Sequence, residues 1–207
     1  MTMTWRRIDK TQSPVPTSGD YRSWKPLLAR EGRLQCVYCC IPESRFGGIR
    51  NFHVEHYRPQ SLFPRLRNDY LNLFYACGIC NVFKSDDWPA DHLQGDLSHP
   101  AYPDPSQVDY GSFLTIDEST GEVSGSGILG RYIVERLHLN RPQMVAIRKL
   151  TQLFARIARF HESMTSLLEE SKIPTELKDD VIKVLLDINK LTLRYATARP
   201  YASDQLR

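Results

Sequence analysis

Residues 72–84 read Asn-Leu-Phe-Tyr-Ala-Cys-Gly-Ile-Cys-Asn-Val-Phe-Lys, and residues 53–59 read His-Val-Glu-His-Tyr-Arg-Pro. A third stretch, Cys36-Val37-Tyr38-Cys39, lies upstream. Two CxxC steps therefore bracket an acid–histidine pair and two asparagines. A CxxC turn supplies two thiolates from one tight bend, and zinc takes four such ligands in a tetrahedron. Cys36, Cys39, Cys77 and Cys80 make that set. Between Cys39 and Cys77 lie 37 residues, well beyond the roughly 15–20 of a compact zinc ribbon. Something folded must sit between the knuckles, and the spacing has room for two strands and a loop. Cys40 leaves a second choice open, because a Cys36–Cys40 step also satisfies zinc spacing; Cys39 is preferred.

The pattern outward from this frame fits an α+β chain. Tyr21–Leu34 has the composition of a short helix around Trp24, Leu27 and Leu28. Asn51–Tyr57 reads as a strand that Pro59 stops. Tyr70–Tyr75 reads as a second strand, and a helix is expected from Asn81 to Trp88. Residues 89–110 carry four prolines and read as a surface connection holding His92 and His99. A small hairpin is expected at Phe113–Ile116 and Gly121–Val123, followed by a short helix after Gly130. Asn140-Arg141-Pro142 reads as a helix start with Asn140 as N-cap. Ala146, Leu150, Leu153, Ile157, Phe160, Met164 and Leu167 then form one apolar stripe. Pro174 and Thr175 open a last helix, which is expected to pack against the stripe. The expected organisation is an N-terminal arm and short helix at 1–35, a core at 36–92, and a connection, hairpin and helical region at 93–207.

Composition sets the class. The chain has 207 residues, 41% hydrophobic content and a net charge of +3. The charge is uneven: residues 1–92 hold 13 Lys and Arg against 9 Asp and Glu. The half with the knuckles is thus the more basic, as a phosphate-binding surface requires. No apolar run has the length of a signal peptide or a membrane span. A cytoplasmic location is expected, where thiols stay reduced and CxxC pairs read as metal ligands before disulfides.

The remaining polar residues suit phosphodiester hydrolysis. That reaction needs a base for water, a cation for the phosphoryl charge and a scaffold aligning both. His56 is the natural base, because imidazole titrates near neutrality. Glu55 is a hard ligand for Mg²⁺ or Mn²⁺, and Asn81 can add a neutral oxygen. Adjacent strand residues face opposite ways, so aiming Glu55 and His56 at one phosphate requires a bend near Pro59. Arg58 and Lys84 are candidate phosphate contacts. His53 reads as a supporting or surface residue.

These residues resemble the HNH endonucleases of the ββα-metal fold. The resemblance rests on Glu55-His56-Tyr57-Arg58-Pro59, Asn72, and Asn81 after Cys80 with Lys84 following, and it covers about residues 36–88. It implies a ββα-metal core with a four-cysteine zinc site and an α-helical C-terminal extension. It implies His56 as general base, Glu55 and Asn81 as ligands of one catalytic divalent metal, and Asn72 as the brace of the loop carrying His56. Two positions depart from the family pattern: Glu55 stands where Asp is more usual, and Asn81 where the name-giving His is more usual. Arg6-Arg7-Ile8-Asp9-Lys10, Val54–Pro59 and Leu137-His138-Leu139-Asn140-Arg141-Pro142 are also similar to the HNH subunits of retron-type and Septu-type anti-phage systems. That looser likeness implies a role in antiviral defence and an SMC/ABC-type ATPase partner, with the region from Asn140 to Tyr195 docking that partner or a second copy of the chain.

Three alternatives stand beside the DNA endonuclease. RNA, including tRNA, fits the same chemistry as substrate. A zinc-stapled nucleic-acid-binding adaptor would use the frame without catalysis. A zinc deaminase would use His53-x-Glu55 with Cys77-x-x-Cys80, but Ala76 replaces its proline and the Cys36/Cys39 pair would have no role.

Overall fold

The computed structural model describes residues 3–10, 21–91, 96, 98–170 and 173–197, with side chains described as far as 193. The chain is mixed α+β, with two small antiparallel sheets and five α-helices among the described residues. It forms two compact units, Met1–Lys149 and Leu150–Arg207.

The centre of the first unit is a hairpin of β1 (Phe52–His56) and β2 (Leu73–Cys77). Its register pairs Phe52 with Cys77, Val54 with Tyr75 and His56 with Leu73. All five residues of β2 are buried. A strand covered on both faces loses the alternation of a half-exposed one, which is why Leu-Phe-Tyr-Ala-Cys shows no period of two. The strand begins three residues later than the aromatic run suggests. Tyr70–Asn72 forms a 3₁₀ turn capped by Asp69, whose side chain accepts from the Leu71 amide.

Helix α2 (Gly78–Lys84) follows β2 without a linker. The Cys77 sulfur accepts from the Cys80 amide at 3.5 Å, so the CxxC knuckle is itself the first helical turn. This cap replaces the later start at Asn81. The first knuckle folds on the other side of β2. There Cys36 donates to the Ile41 carbonyl, Cys40 donates to Cys36, and Val37 donates to Tyr75 of β2 at 2.9 Å. Cys40 takes a left-handed φ of 59° to close this turn.

Helix α1 (Lys25–Glu31) covers β2. Residues 3–10 have no regular structure but are tied to this core. Trp5 donates to the Tyr38 carbonyl at 2.8 Å, and Ile8 donates to Pro105 at 2.7 Å. Lys10 donates to the Leu73 carbonyl and pairs with Glu31 at 3.4 Å. The 11–20 part of the expected arm at 1–20 lies outside the described residues, as does His92.

The connection after α2 is not confined to the surface. Ala101 and Tyr102 are fully buried, and Tyr110 nearly so. Tyr57 donates to the Tyr102 carbonyl at 2.9 Å, and the Tyr102 hydroxyl donates to Asp87 at 2.7 Å. The prolines here shape a segment whose aromatics fill the core.

Strands β3 (Leu114–Ile116) and β4 (Val123–Gly125) pair antiparallel, and helix α3 (Gly127–Arg136) packs onto β4. The approach is backbone to backbone. A Cβ on Gly125 would stand 2.1 Å from the Gly130 carbonyl carbon. The seat for α3 therefore requires glycine at 125.

Helix α4 (Pro142–Glu169) starts where expected, but Asn140 is not its cap. The Asn140 amide clamps Val123 instead, accepting from its N–H at 2.7 Å and donating to its carbonyl at 2.8 Å. Helix α5 (Thr175–Thr197) completes the second unit. Within that unit the two helices meet as expected, with Asn189 and His161 side chains 3.4 Å apart. No helix among the described residues is long and apolar enough to cross a membrane.

Candidate metal centre and adjoining cleft

The sulfurs of Cys36, Cys39, Cys77 and Cys80 all lie within 4.8 Å of one another, and all four residues are buried. Four sulfurs held at about 2.3 Å from one zinc stand about 3.8 Å apart in a tetrahedron. The Cys39–Cys77 separation is 3.8 Å. The set is thus arranged to hold a structural zinc, a closed site with no position for substrate. Cys40 is buried but outside the cluster. The choice between Cys39 and Cys40 follows from the left-handed turn, which directs successive side chains apart.

A zinc with four thiolates carries a net charge of −2, which costs several kcal/mol to bury unless compensated. Arg141 would offset half of that charge. Its guanidinium lies 3.6 Å from the Cys80 sulfur and 3.8 Å from the Cys39 sulfur. It also donates to the Leu137 and His138 carbonyls, which holds it in place. Its signal in the sequence is its place immediately before the Pro142 helix start.

The hairpin and α2 border an open cleft of about 830 Å³, lined by His53, Glu55, His56 and Asn81 among others. Three residues singled out from the sequence, Glu55, His56 and Asn81, thereby line one cleft, while Asn72 lies outside its lining. Their individual settings differ.

His56 ends β1. Its Nε2 lies 3.0 Å from the Arg67 carbonyl. A carbonyl only accepts, so Nε2 carries the proton and Nδ1 is left as the acceptor of a neutral ring. The edge of the ring meets Tyr21 at 4.7 Å. Burial pushes the His56 pKa below its ordinary value, helped by the charges of Lys84 and Arg67 and opposed by the carbonyl bond.

Asn72 braces the loop between the strands. It accepts from the Arg58 amide at 2.8 Å and donates to the carbonyls of Arg58 at 3.0 Å and Leu66 at 3.3 Å. Leu66 immediately precedes the carbonyl that orients His56. One buried side chain thus fixes both ends of the loop.

Glu55 is 3% exposed and ion-paired to Lys84 at 2.8 Å. The same carboxylate oxygen accepts from the Tyr38 hydroxyl at 3.0 Å. Burial raises its pKa, while Lys84 and Tyr38 pull the other way. Asn81 is half-buried, with its amide nitrogen 3.4 Å from His53 Nδ1.

One expectation does not hold in this structure. Lys84 is fully buried and also donates to the His56 carbonyl at 3.0 Å, so it is not placed to touch phosphate. Arg58 turns to Asp91 at 3.4 Å and over the Phe63 ring. The cations that line the cleft are Arg22, Lys25 and Arg50. They sit before and within α1 and before β1, where no motif marked them. Only their exposure around a common opening reveals them.

Among the described residues, the four cysteines are the one group of three or more Cys, His, Asp or Glu side chains gathered closely enough to share an ion. No protein-family model, curated protein or solved structure matches the chain.

Proposed function

We propose that the chain is an HNH-type endonuclease, with a ββα core stapled by zinc and a cleft that hydrolyses phosphodiester bonds, DNA foremost. The observation that carries this reading is the setting of His56. Its proton is committed to the Arg67 carbonyl, its pKa is depressed, and it borders an open cleft with three cations on its walls. A neutral imidazole held this way accepts a proton from water, the role of a general base. Asn72 keeps that geometry by holding the loop. Arg22, Lys25 and Arg50 bind the phosphate backbone. Glu55 and Asn81 border the same cleft and offer oxygens suited to a hard divalent cation. When bound, Mg²⁺ or Mn²⁺ would neutralise charge on the phosphoryl and leaving oxygens.

A second reading is binding without hydrolysis. The Glu55 oxygen already shared by Lys84 and Tyr38 favours it, because that carboxylate is partly neutralised before any cation arrives. The defence role and the ATPase partner rest on the sequence likeness of residues 6–10, 54–59 and 137–142.

The test is cleavage of supercoiled plasmid and of tRNA, with and without Mg²⁺, by wild type and His56→Ala. Metal-dependent nicking by wild type and none by the variant supports the nuclease. Plasmid retention without nicking by either protein gives the adaptor reading, and cleavage of tRNA alone makes RNA the substrate.

A further inference from the structure

The second unit presents an apolar face that its own two helices do not use up. On α4, Leu153, Phe160 and Leu167 recur every seven residues and are 52%, 46% and 38% exposed. On α5, Leu177, Val184 and Leu191 recur at the same interval and are 50%, 52% and 54% exposed. Between the rows runs a groove of about 270 Å³, floored by Met164, Val181 and Leu185. Two helices closing on each other need one seam. A second heptad row on each, on the same side, is what helices show to further helices in a left-handed bundle. Contiguous apolar surface of this extent marks an interaction site.

The charges say which occupant fits. With His161 and Asn189 marking the middle of the helix pair, the half nearest its tip carries Glu162, Glu169, Glu170, Glu176, Asp179, Asp180 and Asp187, against Lys178 and Lys183 among the described residues. The half nearest its base carries Arg156, Arg159 and Lys190 among the described side chains. The Lys183–Asp180 and Lys190–Asp187 pairs along α5 leave their side chains 70% exposed or more, so they neutralise little. A surface that is acidic at one end and basic at the other is complementary to itself when turned end for end. A two-fold axis across the hairpin does that, and it sets the same apolar rows against each other.

We propose that two copies of this chain associate through the α4–α5 faces as an antiparallel four-helix bundle, the acidic tip of each lying on the basic base of the other.

Sedimentation velocity of the full zinc-loaded chain tests this. The expected species at tens of micromolar has twice the 23.9 kDa chain mass. A monomer at that concentration overturns the proposal. The double variant Phe160→Asp/Val184→Asp should be monomeric with its helical circular dichroism and zinc content retained; a persisting dimer overturns it. Leu186→Asp, on the opposite side of α5 from Val184, should stay dimeric, and its dissociation would remove the assignment to this face. Arg156→Glu/Arg159→Glu should raise the dimer Kd at least tenfold, and an unchanged Kd would overturn the antiparallel arrangement.

Discussion

Lys84 and Glu55 meet at 2.8 Å with their side chains 0% and 3% exposed, which joins the last residue of α2 to the penultimate residue of β1. Lys84 also holds the His56 carbonyl, so one ammonium fixes both members of the acid–histidine pair. A buried pair contributes little against an apolar substitute, but removing one partner strands the other. Lys84→Met should therefore destabilise the first unit by about 3–5 kcal/mol. The double change Glu55→Gln/Lys84→Met should cost less than Lys84→Met alone. Urea unfolding of the three proteins checks the order, and equal losses would remove the pair from the account.

Purified protein should contain one zinc per chain by elemental analysis. Cys77→Ser should lose the metal together with the fold of the first unit, because such sites contribute on the order of 10 kcal/mol to folding. Cys40→Ser should keep full zinc, since Cys40 lies outside the cluster. Arg141→Met should keep the ligands but release zinc faster to a chelator, having removed the cation beside two sulfurs.

The cleft makes kinetic predictions that depend on the proposed hydrolysis. His56→Ala should slow cleavage by roughly 10²–10⁴-fold with fold and zinc intact. The active form of His56 is the neutral ring, so rate should rise with pH and level off. Burial lowers its pKa, so this acid limb should lie below the ordinary imidazole value of about 6.5. A limb above that value would contradict the buried, carbonyl-bound setting. Asn72→Ala should cost about 1–3 kcal/mol of stability by orphaning buried backbone groups, and should lower kcat more than it raises KM.

Binding should follow the lining cations rather than the motif cations. Arg22→Ala, Lys25→Ala and Arg50→Ala should each weaken nucleic-acid affinity across sequences alike. Each should also reduce the slope of log K against log salt by about 1. Arg58→Ala should leave that slope unchanged. Fluorescence anisotropy across a salt series reads both.

The β4–α3 contact offers a test independent of function. Gly125→Ala would place a methyl inside the Gly130 backbone. The helix must then move off the strand, so the loss should exceed the roughly 1–3 kcal/mol of ordinary overpacking. Thermal unfolding of this one variant measures it.

Much of this arrangement was legible in the residues. The CxxC steps announced the sulfur cluster, because ligand spacing is a local property that survives folding. Strand β1 and the first strand of the small hairpin were visible, but its second strand runs Val123–Gly125 rather than Gly121–Val123, because Gly121 and Glu122 are taken up by the turn closed on Asp117. The 89–110 segment was misread because its prolines signal loops, while the burial of Tyr102 and Tyr110 depends on partners far along the chain. Asn140 matched a cap by position, yet its amide found better partners in Val123. Lys84 looked like a phosphate contact because charge is visible in sequence and burial is not. The cleft cations escaped notice for the converse reason: Arg22, Lys25 and Arg50 converge only once α1 and the hairpin are assembled.

The two knuckles also set an order of events in time. At about 5–20 residues per second of synthesis, the 37 residues between Cys39 and Cys77 take roughly 2–7 s to appear. Throughout that interval the first pair of thiols has no second pair to complete a site. Both strands of the hairpin emerge before Cys80, so their pairing carries the later thiols to the earlier ones. The nascent chain therefore reaches metal competence only once Cys80 follows Cys77 in the first turn of α2, and a ribosome stalled before Cys77 holds a chain with half a ligand set.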